Sequence, residues 1–199
     1  GNMYGTVYIG NQVWMTENLK TTRFNDNSVI PLVEDDTTWV HLETPAYCWL
    51  LNKIQYKDVY GALYNWYTVE TGKLCPSGWH VPSDNEYKML EQTLGMTTDQ
   101  LNLTEWRGTD EGSKMKSKTG WDEGENGTNI SGFSGLPGGY RWAKNGAFNG
   151  IEMITYWWSS EYNNSYAWYR RLDGENTDIY RMYTSKRGGK YIRCIKNSE

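Results

Sequence analysis

The chain has 199 residues, 38% of them hydrophobic and 15% aromatic, and its 24 acidic and 20 basic side chains leave a formal net charge of -4. This length bounds the reading to one domain over residues 1–199. The basic residues form no runs, which excludes a nucleic-acid binder, and no window approaches the roughly 18 apolar residues of a membrane span. Gly1-Asn2 reads as a remnant of expression, so the lack of a leader segment carries no information on location. The aromatics are 11 Trp and 16 Tyr against 3 Phe. Such rings can bury a face while keeping an N–H or O–H wet, which suits both an irregular core and a surface that grips flat polar ligands.

In chain order, Thr6 to Trp14 alternates β-branched and aromatic residues around Gly10-Asn11 and predicts a tight two-residue hairpin. From Thr21 to about Lys57 the chain is rich in Asp, Asn and Thr, and it reads as an irregular excursion that keeps Trp39, Tyr47 and Trp49. Gly61 to Thr71 spaces Leu63, Trp66, Tyr67 and Glu70 as a helix, with Gly72 as its stop. Trp79-His80-Val81-Pro82 predicts a short strand. Ser83 and Glu86 then form a capping box for a helix that runs through Tyr87, Leu90 and Leu94 to Gly95.

After Gln100 the glycines come so often that neither helix nor strand period survives, but Trp106, Trp121, Phe133, Tyr140 and Trp142 argue for an ordered loop region. The last third alternates as sheet over Tyr156 to Ser160, Ala167 to Leu172, Ile179 to Tyr183 and Tyr191 to Ile195, with turns at Asp173-Gly174 and Gly188-Gly189. Alternation would put Trp158 and Trp168 in the core and Trp157 and Tyr169 on the opposite face. Cys48, Cys75 and Cys194 lack zinc-ligand spacing, so one disulfide and one leftover thiol is the simplest account.

Seven blocks recur in a recognisable order: Ile9 to Leu19, Gly61 to Trp66, Cys75 to Ser83, Asn126 to Phe133, Leu136 to Arg141, Trp158 to Ser160 and Ile192 to Lys196. Together they resemble the Fibrobacter succinogenes major paralogous domain, a family of surface proteins and lipoproteins of Bacteroidetes and Fibrobacteres. The resemblance spans nearly the whole chain, with 21–57 its least typical part. That family is similar to the C-type lectin-like and sulfatase-modifying-factor fold. The resemblance therefore implies an α+β domain of two short helices, small antiparallel sheets, long ordered loops, and N- and C-terminal strands side by side. It also implies a Cys75–Cys194 disulfide, worth about 4 to 5 kcal/mol in the chain-entropy account, and leaves Cys48 as a buried small hydrophobe.

Candidate chemistry is sparse. His80 lies near Ser77, Ser83 and Asp84 in sequence, yet Ser83 is better used as a helix cap, and a triad is defined by geometry. Gly132-Phe-Ser-Gly135 misses the nucleophile-elbow spacing. A formylglycine-generating oxidase, the catalytic branch that the fold similarity brings in, works through a cysteine pair, and Cys194 is already claimed. The expectation is no enzyme. Asp122, Glu123, Glu125, Asn126 and Asn129 could supply part of a calcium site, but their spacing is not that of an EF-hand and the sugar-binding tripeptides of true C-type lectins are absent, so a solvated acidic turn is the preferred reading and no cofactor is expected. Tyr140, Trp142, Trp157, Tyr169 and Arg171 are the candidate ligand-binding residues, as rings beside cations hold sugars and extended peptides. The expected function is a non-catalytic adhesion or recognition domain, extracellular or outer-membrane anchored in its precursor, with carbohydrate or protein as ligand. The alternative is a purely structural module of a surface assembly.

Overall fold

The structure is a computed structural model that describes residues 2–198. The strands are β1 (Thr6–Ile9), β2 (Gln12–Met15), β3 (Tyr47–Trp49), β4 (Ala62–Tyr64), β5 (Trp79–His80), β6 (Glu105–Arg107), β7 (Gly138–Arg141), β8 (Phe148–Ile151), β9 (Ile154–Asn163), β10 (Tyr166–Asp173), β11 (Ile179–Ser185) and β12 (Ile195–Lys196). The α-helices are α1 (Asp36–His41), α2 (Lys57–Tyr60), α3 (Trp66–Glu70), α4 (Asp84–Thr93), α5 (Thr98–Leu101) and α6 (Glu111–Met115). The fold is α+β, and among the described residues no helix is long and apolar enough to cross a membrane.

The hairpin forms where expected, with Ile9 opposite Gln12 and Gly10 supplying the positive φ of 60° that the turn needs. In the sheet ordered β1-β2-β12-β5, Ile195 of β12 pairs with Trp14 on one side and His80 on the other, so the two ends of the chain lie side by side. The Cys75–Cys194 disulfide, 119 residues apart in sequence, pins the same place. Cys48 is the buried free thiol, pushed up to about 12 by burial.

Helix α4 begins as the sequence dictates. Ser83 accepts from the Glu86 N–H, and the Glu86 carboxylate reaches back to the Ser83 N–H at 2.8 Å. Gly95 follows the helix with a φ of 122°.

The segment 61–71 departs from its helical spacing. Only Trp66–Glu70 is helical, capped by Asn65, while Ala62–Tyr64 is a strand against β3 with Leu63 opposite Cys48. Long-range backbone partners win here: Ala62 N–H donates to Leu19 O at 2.9 Å and Tyr64 N–H to Lys190 O at 2.9 Å. The two helices expected are also too few. Apart from α4, each helix has only four to six residues, too short for an apolar period to register in sequence. The excursion after Thr21 carries α1 and β3, and its rings Trp39, Tyr47 and Trp49 are buried.

The larger sheet has the order β6-β11-β10-β9-β7-β8 and is antiparallel except where Gly139 of β7 meets Thr155 of β9. Its centre is covered on both sides. One face carries Trp157, Leu172 and Ile179 into a core with Trp14, Tyr87, Leu90 and Phe133. The other carries Tyr156, Trp158, Ala167 and Tyr169 toward Tyr64, Trp66, Ile192 and Cys194.

The α4-facing side buries charge in matched sets. Asp84 and Glu91, two turns apart on α4, face Arg107, Arg170 and Arg181 from three neighbouring strands. Arg170 reaches Asp84 at 2.8 Å and Glu91 at 2.5 Å, Arg181 reaches Asp84 at 2.7 Å, and Arg107 reaches Glu91 at 2.8 Å. Burial alone would raise the Asp84 carboxyl, but Arg181 and Arg170 outweigh it and hold that group well below the usual carboxylate range.

Candidate functional site

The face of the larger sheet turned away from α4 carries a ladder of five rings, one from each of five adjacent strands. Strand register puts them there. Trp106 lies opposite Tyr180, Arg171 lies between Tyr180 and Tyr156, and Tyr169 is directly opposite Trp158, so side chains two residues apart share this face. Neighbouring centroids are 5.1 Å apart for Trp106–Tyr180, 6.2 Å for Tyr180–Tyr169, 5.3 Å for Tyr169–Tyr156 and 4.6 Å for Tyr156–Tyr140. Arg171 lies over Trp106, Tyr180 and Tyr156 at 5.4 to 5.6 Å and is ion-paired with Asp173, two residues along the same strand.

The hydroxyls of Tyr156 and Tyr169 have no hydrogen-bond partner among the described residues and, unlike that of Tyr87, are not sealed from solvent. Burial pushes both phenols above their ordinary range. Each hydroxyl keeps one donor and its acceptor lone pairs unused by the protein.

Beside the ladder stands Lys190, 4% exposed, reached from the turn at Gly188-Gly189. Its backbone is tied to Tyr64 by N–H to O at 3.1 Å. Its Nζ lies 4.6 Å from the ring centres of Tyr156 and Trp158, 4.9 Å from Tyr169 and 5.7 Å from Tyr140. No carboxylate or other acceptor meets it among the described residues. Burial, with the Arg171 charge in second place, pushes its amine down to about 7.

On the Arg171 side the ladder borders a cleft of about 300 Å³ lined by Asp122, Glu123, Glu125, Glu175, Asp173 and Met153, among others. Asn126 and Asn129 do not join that lining. Asn126 Oδ1 accepts from the Trp121 N–H at 3.3 Å, and the Asn129 amide both donates to and accepts from Ser134 at 2.8 Å. The carbonyls of the adjoining β10–β11 turn accept from the Lys116 ammonium, at 3.0 Å for Asp173, 2.7 Å for Gly174 and 3.2 Å for Asn176. Among the described residues no group of three or more His, Cys, Asp or Glu is placed to hold a metal ion.

Of the five residues expected to bind ligand, Tyr140, Tyr169 and Arg171 meet on the ladder. Trp157 does not: it is fully buried on the α4 side, its Nε1 donating to Asn18 Oδ1 at 2.8 Å. Trp158 is in the core as expected but shares a face with Tyr169, whereas Trp168 is only half-buried, under Arg181 at 3.9 Å. Alternation fails to separate inside from outside here because both faces of β9 are packed. Trp142 lies past the end of β7, 44% exposed and away from the other rings, with Lys144 over it at 5.8 Å.

Sequence reasoning missed Trp106, Tyr180 and Lys190, and it left Tyr156 out of the five site residues although the Tyr156-Trp157-Trp158 segment is one where rings suggest a binding face. The period of two in β9 to β11 would have placed Tyr156 and Tyr180, but nothing local marks Lys190 as buried. His80 is held between Asn197 and Glu86 at 2.7 Å each, and Ser83 donates to Glu86 rather than to His80, so the three do not form a relay ending on the serine.

A family model described as the Fibrobacter succinogenes major domain matches residues 7–196. No curated protein and no solved structure matches the chain.

Proposed function

The chain belongs to the Fibrobacter succinogenes major domain family, and from that premise we propose that it is a non-catalytic recognition domain, displayed outside the cell in adhesion, which holds a carbohydrate on the aromatic ladder. The observation that carries this reading is the run of Tyr140, Tyr156, Tyr169, Tyr180 and Trp106 across five strands, with Arg171 above it and unpaired phenol hydroxyls along it. Pyranose C–H faces stack on such rings, and sugar hydroxyls exchange hydrogen bonds with phenols and guanidinium groups. The strands make the platform rigid, so little ordering is lost on binding. The Cys75–Cys194 bridge supports an oxidising compartment outside the cytosol. His80, Ser83 and Cys194 all have other employment, which supports a function without catalysis, and no cofactor enters it.

A scaffold role is favoured by one observation: Tyr156 and Tyr169 are each only 8% exposed, so those rings also serve the core. A glycan array combined with binding to extracellular-matrix proteins separates the two. Recognition predicts glycan hits that weaken about tenfold in Trp106→Ala, an outer ring whose loss removes a stacking surface. Clean negatives on both panels would favour the scaffold.

A further inference from the structure

Among the described residues eight basic side chains are buried, and seven of them find acceptors. Arg107, Arg170 and Arg181 pair with Asp84 and Glu91. Arg141 donates to Asp36 and to the Val33, Glu34 and Gly146 carbonyls. Lys116 has three carbonyls, and Arg193 has Asn18 and the Met15 and Phe133 carbonyls. Lys186 is the closest parallel to Lys190, since its Nζ also sits in a ring cage, 4.1 Å from Tyr162 and 4.5 Å from Trp66. That cage is completed by Glu70 at 3.0 Å. Lys190 has the rings and lacks the carboxylate.

Taking an amine out of water without an acceptor is costly, and aromatic faces return only part of that cost. Lys190 is 4% exposed, and its Nζ is not among the buried polar atoms wholly cut off from solvent, so a thin edge of it borders the surface. The groups that face it are Tyr140 of β7, Tyr156 and Trp158 of β9, and Tyr169 and Arg171 of β10. None of them is an acid that is ionised at neutral pH, and the Arg171 charge is already paired with Asp173.

We propose that the ladder's ligand is an acidic saccharide whose carboxylate or sulfate ester supplies the acceptor that Lys190 lacks. This rests on the carbohydrate reading above and narrows it to one class. An anion there would meet a single ammonium in apolar surroundings, where a charge-assisted hydrogen bond is strongest. The phenol hydroxyls of Tyr156 and Tyr169 take the sugar's neutral groups. The carboxylates Asp122, Glu123, Glu125 and Glu175 on the Arg171 side repel an anion from that end, which orients the acidic group toward Lys190. Binding holds the amine protonated, so it takes up a proton above neutrality and affinity falls as pH rises through about 7.

The test is an array of matched neutral, uronate-bearing and sulfated glycans, followed by calorimetry of the best hit at pH 6 and pH 9 with the wild type, Lys190→Met and Lys190→Arg. The expected result is binding of acidic glycans, a loss of about tenfold to a hundredfold in Lys190→Met, and binding by Lys190→Arg that no longer weakens at the higher pH. The uronate and sulfate arms identify which anion is read. Hits confined to neutral glycans, or acidic hits that bind Lys190→Met as tightly as the wild type, would overturn this inference and leave the carbohydrate reading standing. An array without hits would overturn both. Should Lys190→Met fail to fold, the pH dependence of Lys190→Arg decides alone: an unchanged dependence overturns the inference.

Discussion

The two faces of the six-stranded sheet handle buried charge in opposite ways. Against α4, Arg107, Arg170 and Arg181 are each within hydrogen-bond reach of Asp84 or Glu91, so each of these three cations has an anion fixed by the fold. On the ladder face Lys190 has rings around it and no acid, while the hydroxyls of Tyr156 and Tyr169 have no protein partner. A protein interior tolerates charge when the partner is built in; where the partner is missing, burial pushes the group toward its neutral form. On the proposal made above, the first face is a structural joint and the second a receptor surface.

That contrast predicts opposite responses to removing one charge. Glu91→Gln would strand Arg107 and leave Arg170 with Asp84 alone, and should cost about 3 to 5 kcal/mol in urea unfolding. A loss below about 1 kcal/mol would mean that the matched set contributes nothing, and the contrast would fail.

Lys190→Met should act the other way, because it removes a charge that has no partner. In the folded chain the amine gives up its proton near pH 7, whereas in the unfolded chain it keeps it to the ordinary lysine value of 10.5. Between those values the unfolded state binds more protons, so the wild type gains stability as pH rises. The advantage of Lys190→Met is therefore greatest at pH 6 to 7 and shrinks by about 1.4 kcal/mol per pH unit above that. Unfolding midpoints at pH 6.5 and pH 9 check it; a difference independent of pH would contradict it.

A smaller effect sharpens the same comparison with one kind of substitution. Tyr64 is fully buried, its hydroxyl donating to Thr21 O at 2.7 Å, so Tyr64→Phe should cost about 1 kcal/mol of stability. Tyr169→Phe removes a hydroxyl with no protein partner and should leave stability within about 0.5 kcal/mol while weakening glycan binding about threefold to tenfold. Equal stability losses in the two variants would place the Tyr169 hydroxyl in the structural set.

Much of the framework was legible in the sequence because its signals are local. Gly10-Asn11 marks the hairpin, Ser83 and Glu86 mark the start of α4, and the alternation after Tyr156 marks the last long strands. The strand at Ala62–Tyr64 was not legible, since partners at Leu19 and Lys190 decide it. The site divides along the same line. Tyr140, Tyr169 and Arg171 were readable as rings and a cation on alternating strands. Trp157 was misplaced because a central strand buried on both sides carries no inside-outside signal. Lys190 was invisible, because a lysine after Gly188-Gly189 looks like any turn lysine until β7, β9 and β10 close around it.

The most direct test of the contrast between the faces is the titration of Lys190 itself, followed by NMR of the side-chain carbon and nitrogen nuclei next to its amine in the intact, ligand-free protein. The account predicts a midpoint near 7. A midpoint near the ordinary lysine value of 10.5 would mean that the amine is already paired or solvated, and would contradict it.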